Sequence, residues 1–204
     1  FESEIKRRVR VLVESNKKLG LACSGGRDSM SLCEYFVRLR NEFPSLKLCV
    51  LHINFGLRGR ESDADQKFIE SWCQRQSVDF ELKSVDGSKV DSGIQNWARN
   101  VRYGWFAEWC KDNDGIVSVA HHLHDSAETA LFKLARGSDL DTIASMSTYS
   151  QNMRIWRPFI RLDHGQIADL LDRKKIPHRE DSSNATIKYS RNRIRHNVMP
   201  ELEK

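Results

Sequence analysis

The chain has 204 residues, 39% hydrophobic and 30% charged, with too few glycines (11) and prolines (4) for a low-complexity or collagen-like segment. No apolar run approaches the roughly 18 residues of a helical membrane span. The net charge of +5 admits a polyanionic partner such as nucleic acid without requiring one.

The start, FESEIKRRVRVLV, is amphipathic and has no secretory apolar region. LGLACS (19–24) reads as a short buried strand. DSMSLCEYFVRLRNEF (28–43) follows as a helix, with Met30, Cys33, Phe36 and Val37 at helical spacing. LKLCVLHINF (46–55) is a second strand. ESDADQKFIESWCQRQ (61–76) is a helix whose Ser62 and Asp65 resemble a capping box. DFELKSV (79–85) is a third strand. The helix over 94–110 sets Ile94, Trp97, Ala98, Val101, Trp105, Phe106 and Trp109 on one face, read as core rather than a base-stacking platform. GIVSVAHH (115–122) is a fourth strand before a helix over 125–137, and MRIWRPFI (153–160) is a fifth. Helices over 163–175 and 187–204 close the chain. The five cysteines are odd in number and lack a C-x-x-C, so they read as buried, reduced thiols of a cytoplasmic protein.

Strands alternating with helices predict an α/β fold: a parallel five-stranded sheet with helices on both faces, Rossmann-like, with a C-terminal helical extension. Ligands on such sheets bind beyond the carboxyl ends of the strands. That directs attention to residues 24–29, 52–60 and 121–126.

The first of these carries Ser24, Gly25, Gly26, Arg27, Asp28 and Ser29. Glycines let several backbone N–H groups converge, and a helix N-terminus adds positive potential, so the turn suits an anion. Asp28 suits magnesium coordination or a helix cap. The string is neither a G-x-x-x-x-G-K-[ST] loop nor a G-x-G-x-x-G fingerprint. Two adjacent glycines alone would mean an ordinary tight turn.

The full S-G-G-x-D-S resembles the pyrophosphate loop (PP-loop) of N-type ATP pyrophosphatases, which cleave ATP between the α and β phosphates and adenylate a substrate oxygen. Further stretches resemble the N-terminal catalytic domain of tRNA(Ile)-lysidine synthetases: HINFGLRGRESDAD (52–65), Ala98, Arg99, Arg102 and Tyr103, AHHLHDSAET (120–129), RPFI (157–160), and DSSNATIKYSRNRIRHNVMPELE (181–203). Phe55, His124 and Ser126 depart from the family pattern, standing where it has His, Asp and Gln.

The resemblance implies an adenine nucleotide alpha hydrolase-like fold. It makes residues 1–160 the ATP-binding catalytic domain, and 161–204 a helical extension of it and the start of a tRNA-binding region. It implies ATP and Mg²⁺ as cofactors, tRNA(Ile) and free L-lysine as substrates, no membrane, and leaves a homodimer open. On it, Ser24 to Ser29 hold phosphates, Ala22 and Ile53 flank adenine, and Asp28 and Asp125 hold Mg²⁺. His122 contacts substrate, and Asp28, Asp125 and His122 are the catalytic set. Arg58, Arg99, Arg191, Asn192 and Arg195 face RNA. The plainer readings are a helix cap for Asp125, a solvated turn for Arg58 and a solvated face for the C-terminal arginines. His121, His122 and His124 are not expected to converge on one ion, because adjacent strand residues point to opposite faces. His121 is expected to be buried. Alternatives are another adenylating tRNA modifier, a diverged paralogue, or a non-catalytic adenine-nucleotide sensor.

Overall fold

A computed structural model gives the structure of the chain and describes residues 1–138, 146–171, 175–179 and 193–202. Its strands are β1 (Lys18–Ala22), β2 (Lys47–Asn54), β3 (Asp79–Ser84), β4 (Ile116–Ser118), β5 (Tyr149–Ser150) and β6 (Ile155–Trp156). Its helices are α1 (Glu2–Glu14), α2 (Arg27–Leu39), α3 (Arg60–Gln76), α4 (Ile94–Asp112), α5 (Leu123–Leu134) and α6 (His164–Leu170), with a π-helical turn at Ile194–Val198 running into α7 (Met199–Leu202).

The sheet has six strands, not five, in the order β3-β2-β1-β4-β6-β5. All pairings are parallel except β5 with β6. β5 is two residues long, too short for a period-two pattern to show. The turn that folds it back carries Arg154 at a φ of 48°. The strand expected over 153–160 shrinks to Ile155–Trp156. The Arg157 N–H still donates to Thr148 O, the next pair of the β5–β6 register, at 2.7 Å, and Pro158 then has no N–H to carry the ladder on.

Alternation along the strands divides the core. Leu19, Leu21, Leu48, Val50 and Ile116 pack on one face with Ile5 and Val9 of α1, Phe36 of α2, Trp72 of α3 and Ile167 of α6. Cys49, Leu51, Val117 and Ile155 pack on the other with Phe106, Trp109 and Cys110 of α4. All five cysteines are free and buried. The expected apolar face of α4 holds only in its C-terminal half: Phe106, Trp109 and Cys110 are buried, while Trp97 and Trp105 are half-exposed. The N-terminal half instead borders a cleft.

Trp109 fits because two positions of the sheet lack side chains, Gly20 in the middle of β1 and Gly115 just before β4. A Cβ at Gly20 would lie 2.9 Å from the Trp109 ring and 2.8 Å from Leu51 Cδ1, and a Cβ at Gly115 would lie 2.7 Å from the same ring. Indole Nε1 donates to Glu81 Oε1 at 2.9 Å, which satisfies its polar end.

The chain runs outward through β1, β2 and β3, then returns to β4 on the far side of β1. The carboxyl ends of β1 and β4 therefore flank the point where strand order reverses, the place where such sheets open a ligand crevice. Gly20→Val drives a branched side chain into Trp109 and Leu51, and is expected to destabilise the fold by about 1–3 kcal/mol in urea unfolding. An unchanged midpoint would mean that α4 slides freely on the sheet.

Candidate active site

The turn after β1 is held by its own serines. Gly25 takes a φ of +86°, which favours glycine. Ser29 Oγ accepts from the Ser24 N–H at 3.2 Å, lies 3.2 Å from Ser24 Oγ and donates to Gly26 O at 2.9 Å. Gly26 is the N-cap of α2, with no side-chain cap bond. Asp28 lies in the first turn of α2, with its side chain 40% exposed, and Arg27 Nε stands 3.8 Å from it.

The loop after β4 meets this turn. β4 ends at Ser118 and α5 begins at Leu123, so residues 119–122 are not strand and the expectation of opposed faces does not apply. His122 is the extended N-cap of α5, and its N–H donates to Asp125 Oδ2 at 3.1 Å. His122 Nε2 lies 3.6 Å from Asp28 Oδ2 and 3.4 Å from Asp125 Oδ2. Asp125 thus combines the cap role with a place in the cleft. His122 is buried and His121 half-buried, the reverse of expectation. His121 Nδ1 accepts from Arg157 Nε at 3.3 Å.

His164, from the first turn of α6, sets its Nδ1 3.4 Å from Asp28 Oδ1. Sequence reading missed this residue, since nothing local marks a lone histidine on a short helix. The Arg195 guanidinium forks onto Glu128 at 2.6 and 3.0 Å and reaches Asp125 Oδ1 at 3.4 Å.

Charges set the protonation states. Burial alone would raise the Asp28 carboxyl, but the hydrogen bond and charge of His122, with His164 and Arg27, hold it below its ordinary value. Burial alone would lower His122, but Asp28 and Asp125 raise it above its ordinary value, against an opposing Arg195. Burial lowers His164, helped by His122, Arg27 and His124 and opposed by Asp28.

Beside the turn lies a cavity of about 250 Å³ lined by Ala22, Ser24, Asp28, Ile53, Tyr103 and Phe106, among others. Ala22 and Ile53 face it together. A second cavity, about 390 Å³, runs along β2 and α4 past His52, Phe55, Arg58, Asp65 and Gln95. Phe55 and Arg102 border both; Phe55 packs edge-on against Trp97 at 5.8 Å under the Arg102 guanidinium.

Asp65 is no part of a capping box. α3 begins at Arg60, and the buried Asp65 carboxylate is clasped by Arg58 at 2.8 Å and by Arg179. The Arg179 N–H also donates to Gly25 O at 2.9 Å. Arg58 is thus a half-buried ion-pair partner, while Arg99 is exposed and stacked on Tyr103 at 4.7 Å. Arg191 and Asn192 lie outside the described residues.

Residues 1–202 match the family model of the PP-loop domain. A tRNA(Ile)-lysidine synthase of Chlorobaculum tepidum is 34% identical over 197 residues, covering 94% of this chain and 59% of that protein. One from Clostridium tetani is 30% identical over 197 residues, covering 94% and 42%. The chain thus spans about half the length of the curated relatives it matches. Among solved structures, the U34-tRNA thiolase NcsA of Methanococcus maripaludis, with its 4Fe–4S cluster, superposes with a TM-score of 0.71 at 16% identity, over 98% of this chain and 72% of that one. That likeness shows the fold alone.

The Asp28–His122 pair dictates a pH signature. Asp28 contributes stability above the ordinary carboxyl value of 3.8 and loses it as pH falls through its lowered pKa. His122 contributes fully below 6.5 and loses its contribution as pH rises through its raised pKa. The urea-midpoint gap between the native chain and His122→Gln is therefore expected to be widest near about pH 5–6 and to narrow toward about pH 9. A gap constant over that range would mean a neutral imidazole throughout.

Proposed function

The chain belongs to the family of PP-loop domains, and from that premise we propose that it activates a cytidine oxygen with ATP so that an amine can replace it. The substrate is the wobble cytidine of tRNA(Ile), and the amine is the side chain of free L-lysine. Cytosine O2 attacks the α phosphate of ATP and pyrophosphate leaves. The lysine ε-nitrogen then attacks C2, loses a proton, and AMP departs with the former O2. The products are lysidine-bearing tRNA, AMP and pyrophosphate. This makes the protein a ligase.

The observation that carries the reading is the meeting, at the strand-order reversal, of a serine-stapled glycine turn and the Asp28–His122–Asp125 constellation, beside a cavity lined by Ala22 and Ile53. Backbone N–H groups of Gly25 to Ser29 and the hydroxyls of Ser24 and Ser29 bind phosphate oxygens, and Arg27 adds charge. Ala22 and Ile53 flank adenine. Asp28 and Asp125 fit Mg²⁺: both are carboxylates turned toward one imidazole nitrogen, and Asp28 keeps enough exposure for a hydrated ion. Bound there, Mg²⁺ would neutralise phosphate charge. His122 holds a proton beside the phosphates and contacts substrate. Arg99 offers an exposed guanidinium to RNA phosphate, with Arg191 and Asn192 as further RNA contacts, while Arg58 and Arg195 serve as counter-charges to Asp65 and Glu128. Residues 1–160 carry catalysis, and 161–204 begin the tRNA grip.

AMP release from ATP and Mg²⁺ is expected only when lysine and unmodified tRNA(Ile) are both present. Asp28→Asn and Ser24→Ala are expected to lower it by about 10²-fold each. AMP formed without lysine would point to another acceptor. ATP binding without any AMP would overturn the ligase reading in favour of a nucleotide sensor.

A further inference from the structure

We propose that His122, His124 and His164 form a site for a first-row divalent transition ion of the Zn²⁺ class, distinct from the oxygen site of Asp28 and Asp125. One ring nitrogen of each lies within 4.8 Å of the other two. The rings sit close together: centroids are 4.3 Å apart for His122 and His164, 5.2 Å for His124 and His164, and 5.6 Å for His122 and His124. Nitrogens within 4.8 Å of one another lie at most about 2.8 Å from a common centre, against a Zn–N bond of about 2.0–2.1 Å. A shift of under about 1 Å per nitrogen, with rotation of the stacked His124 and His164 rings to aim their lone pairs inward, completes the coordination.

His122 supplies an independent sign. It is 3% exposed, and its Nδ1 is buried without a hydrogen-bond partner. Its Nε2 faces Asp28 and Asp125. A ligating histidine uses one nitrogen for the ion and the other for a carboxylate, which fixes its orientation. An imidazole with two carboxylates at one nitrogen and nothing at the other matches that division. An orphaned buried ring nitrogen otherwise costs about 1–3 kcal/mol.

Neutral imidazole is the form that binds metal, and nitrogen donors favour Zn²⁺, Cu²⁺ and Ni²⁺ over Mg²⁺. The three come from the N-cap and first turn of α5 and the first turn of α6, so the ion would pin α6 to the start of α5. Three protein ligands leave a fourth position for water or a phosphate oxygen.

The test is Co²⁺ titration of the chelator-treated chain without ATP or tRNA, followed by visible d–d absorption. That readout does not depend on the ligase reading. The expected result is one Co²⁺ per chain, displaced by Zn²⁺ and not by excess Mg²⁺. His124→Ala and His164→Ala are expected to weaken binding by at least about 10-fold, and the exposed control His178→Ala to leave it unchanged. No cobalt spectrum, or equal affinity in all variants, would overturn the proposal. If circular dichroism shows a variant unfolded, Zn²⁺ titration of the native chain followed by imidazole NMR decides. Perturbation of His122, His124 and His164 among the 7 histidines supports the site, and perturbation of others alone overturns it.

Discussion

The buried imidazole of His122, held against Asp28 and Asp125, joins the two halves of the sheet. Asp28 follows β1, while His122 and Asp125 follow β4, and no local sequence connects them. Parallel pairing of β1 with β4 places both loops at one end of the sheet, and the reversal of strand order leaves a crevice there. A raised histidine and a lowered carboxylate are then mutual consequences of contact in a partly dry site. α6 depends on the same point, because His164 reaches Asp28 beside His122. The fold brings the turn and the loop together, and the charge pair fixes their spacing.

What could be read from sequence follows from the range of each interaction. The first four strands, α2 to α5 and the glycine turn between β1 and α2 rest on local patterns, and they appear within a few residues of expectation. The serine staples of the turn also close within it, between Ser24 and Ser29. The misses are long-range or too short to show a period. β5 has two residues, His164 is forty residues from His124, and the clasp of Arg179 on Asp65 spans 114 residues. Asp65 looked like a cap because caps and buried ion pairs use the same residue types. Its partners decide between them, and partners are tertiary facts. His121 and His122 exchanged places because β4 stops at Ser118, after which strand alternation no longer governs direction.

The departures from the family pattern cluster around the cleft, and each alters a physical property. Phe55 puts an aromatic ring where the pattern has an imidazole. It removes a titratable group and builds a wall shared by the two cavities with Trp97 and Arg102. The half-exposed N-terminal part of α4 belongs to this wall, which explains why its apolar face is only partly core. His124 replaces an oxygen donor with a nitrogen donor next to two other histidines. Nitrogen donors and carboxylate oxygens therefore sit side by side, with Asp28 between them.

A cleft this acidic poses a problem for a triphosphate. Asp28, Asp125 and Glu128 are gathered on one side and Asp65 is buried near the other. Phosphate oxygens brought among four carboxylates would be repelled unless cations came first. The basic C-terminal residues meet that need from inside the protein. Arg195 neutralises Glu128 and approaches Asp125, and Arg179, with Arg58, neutralises Asp65. Removing the arginine from such a pair leaves a buried carboxylate without its counter-charge. Arg58 and Arg195, read from sequence as facing RNA, are counter-charges of the cleft. Arg179 and Arg195 are therefore as much a part of this end of the molecule as the glycine turn, which the Arg179 N–H meets at Gly25 O.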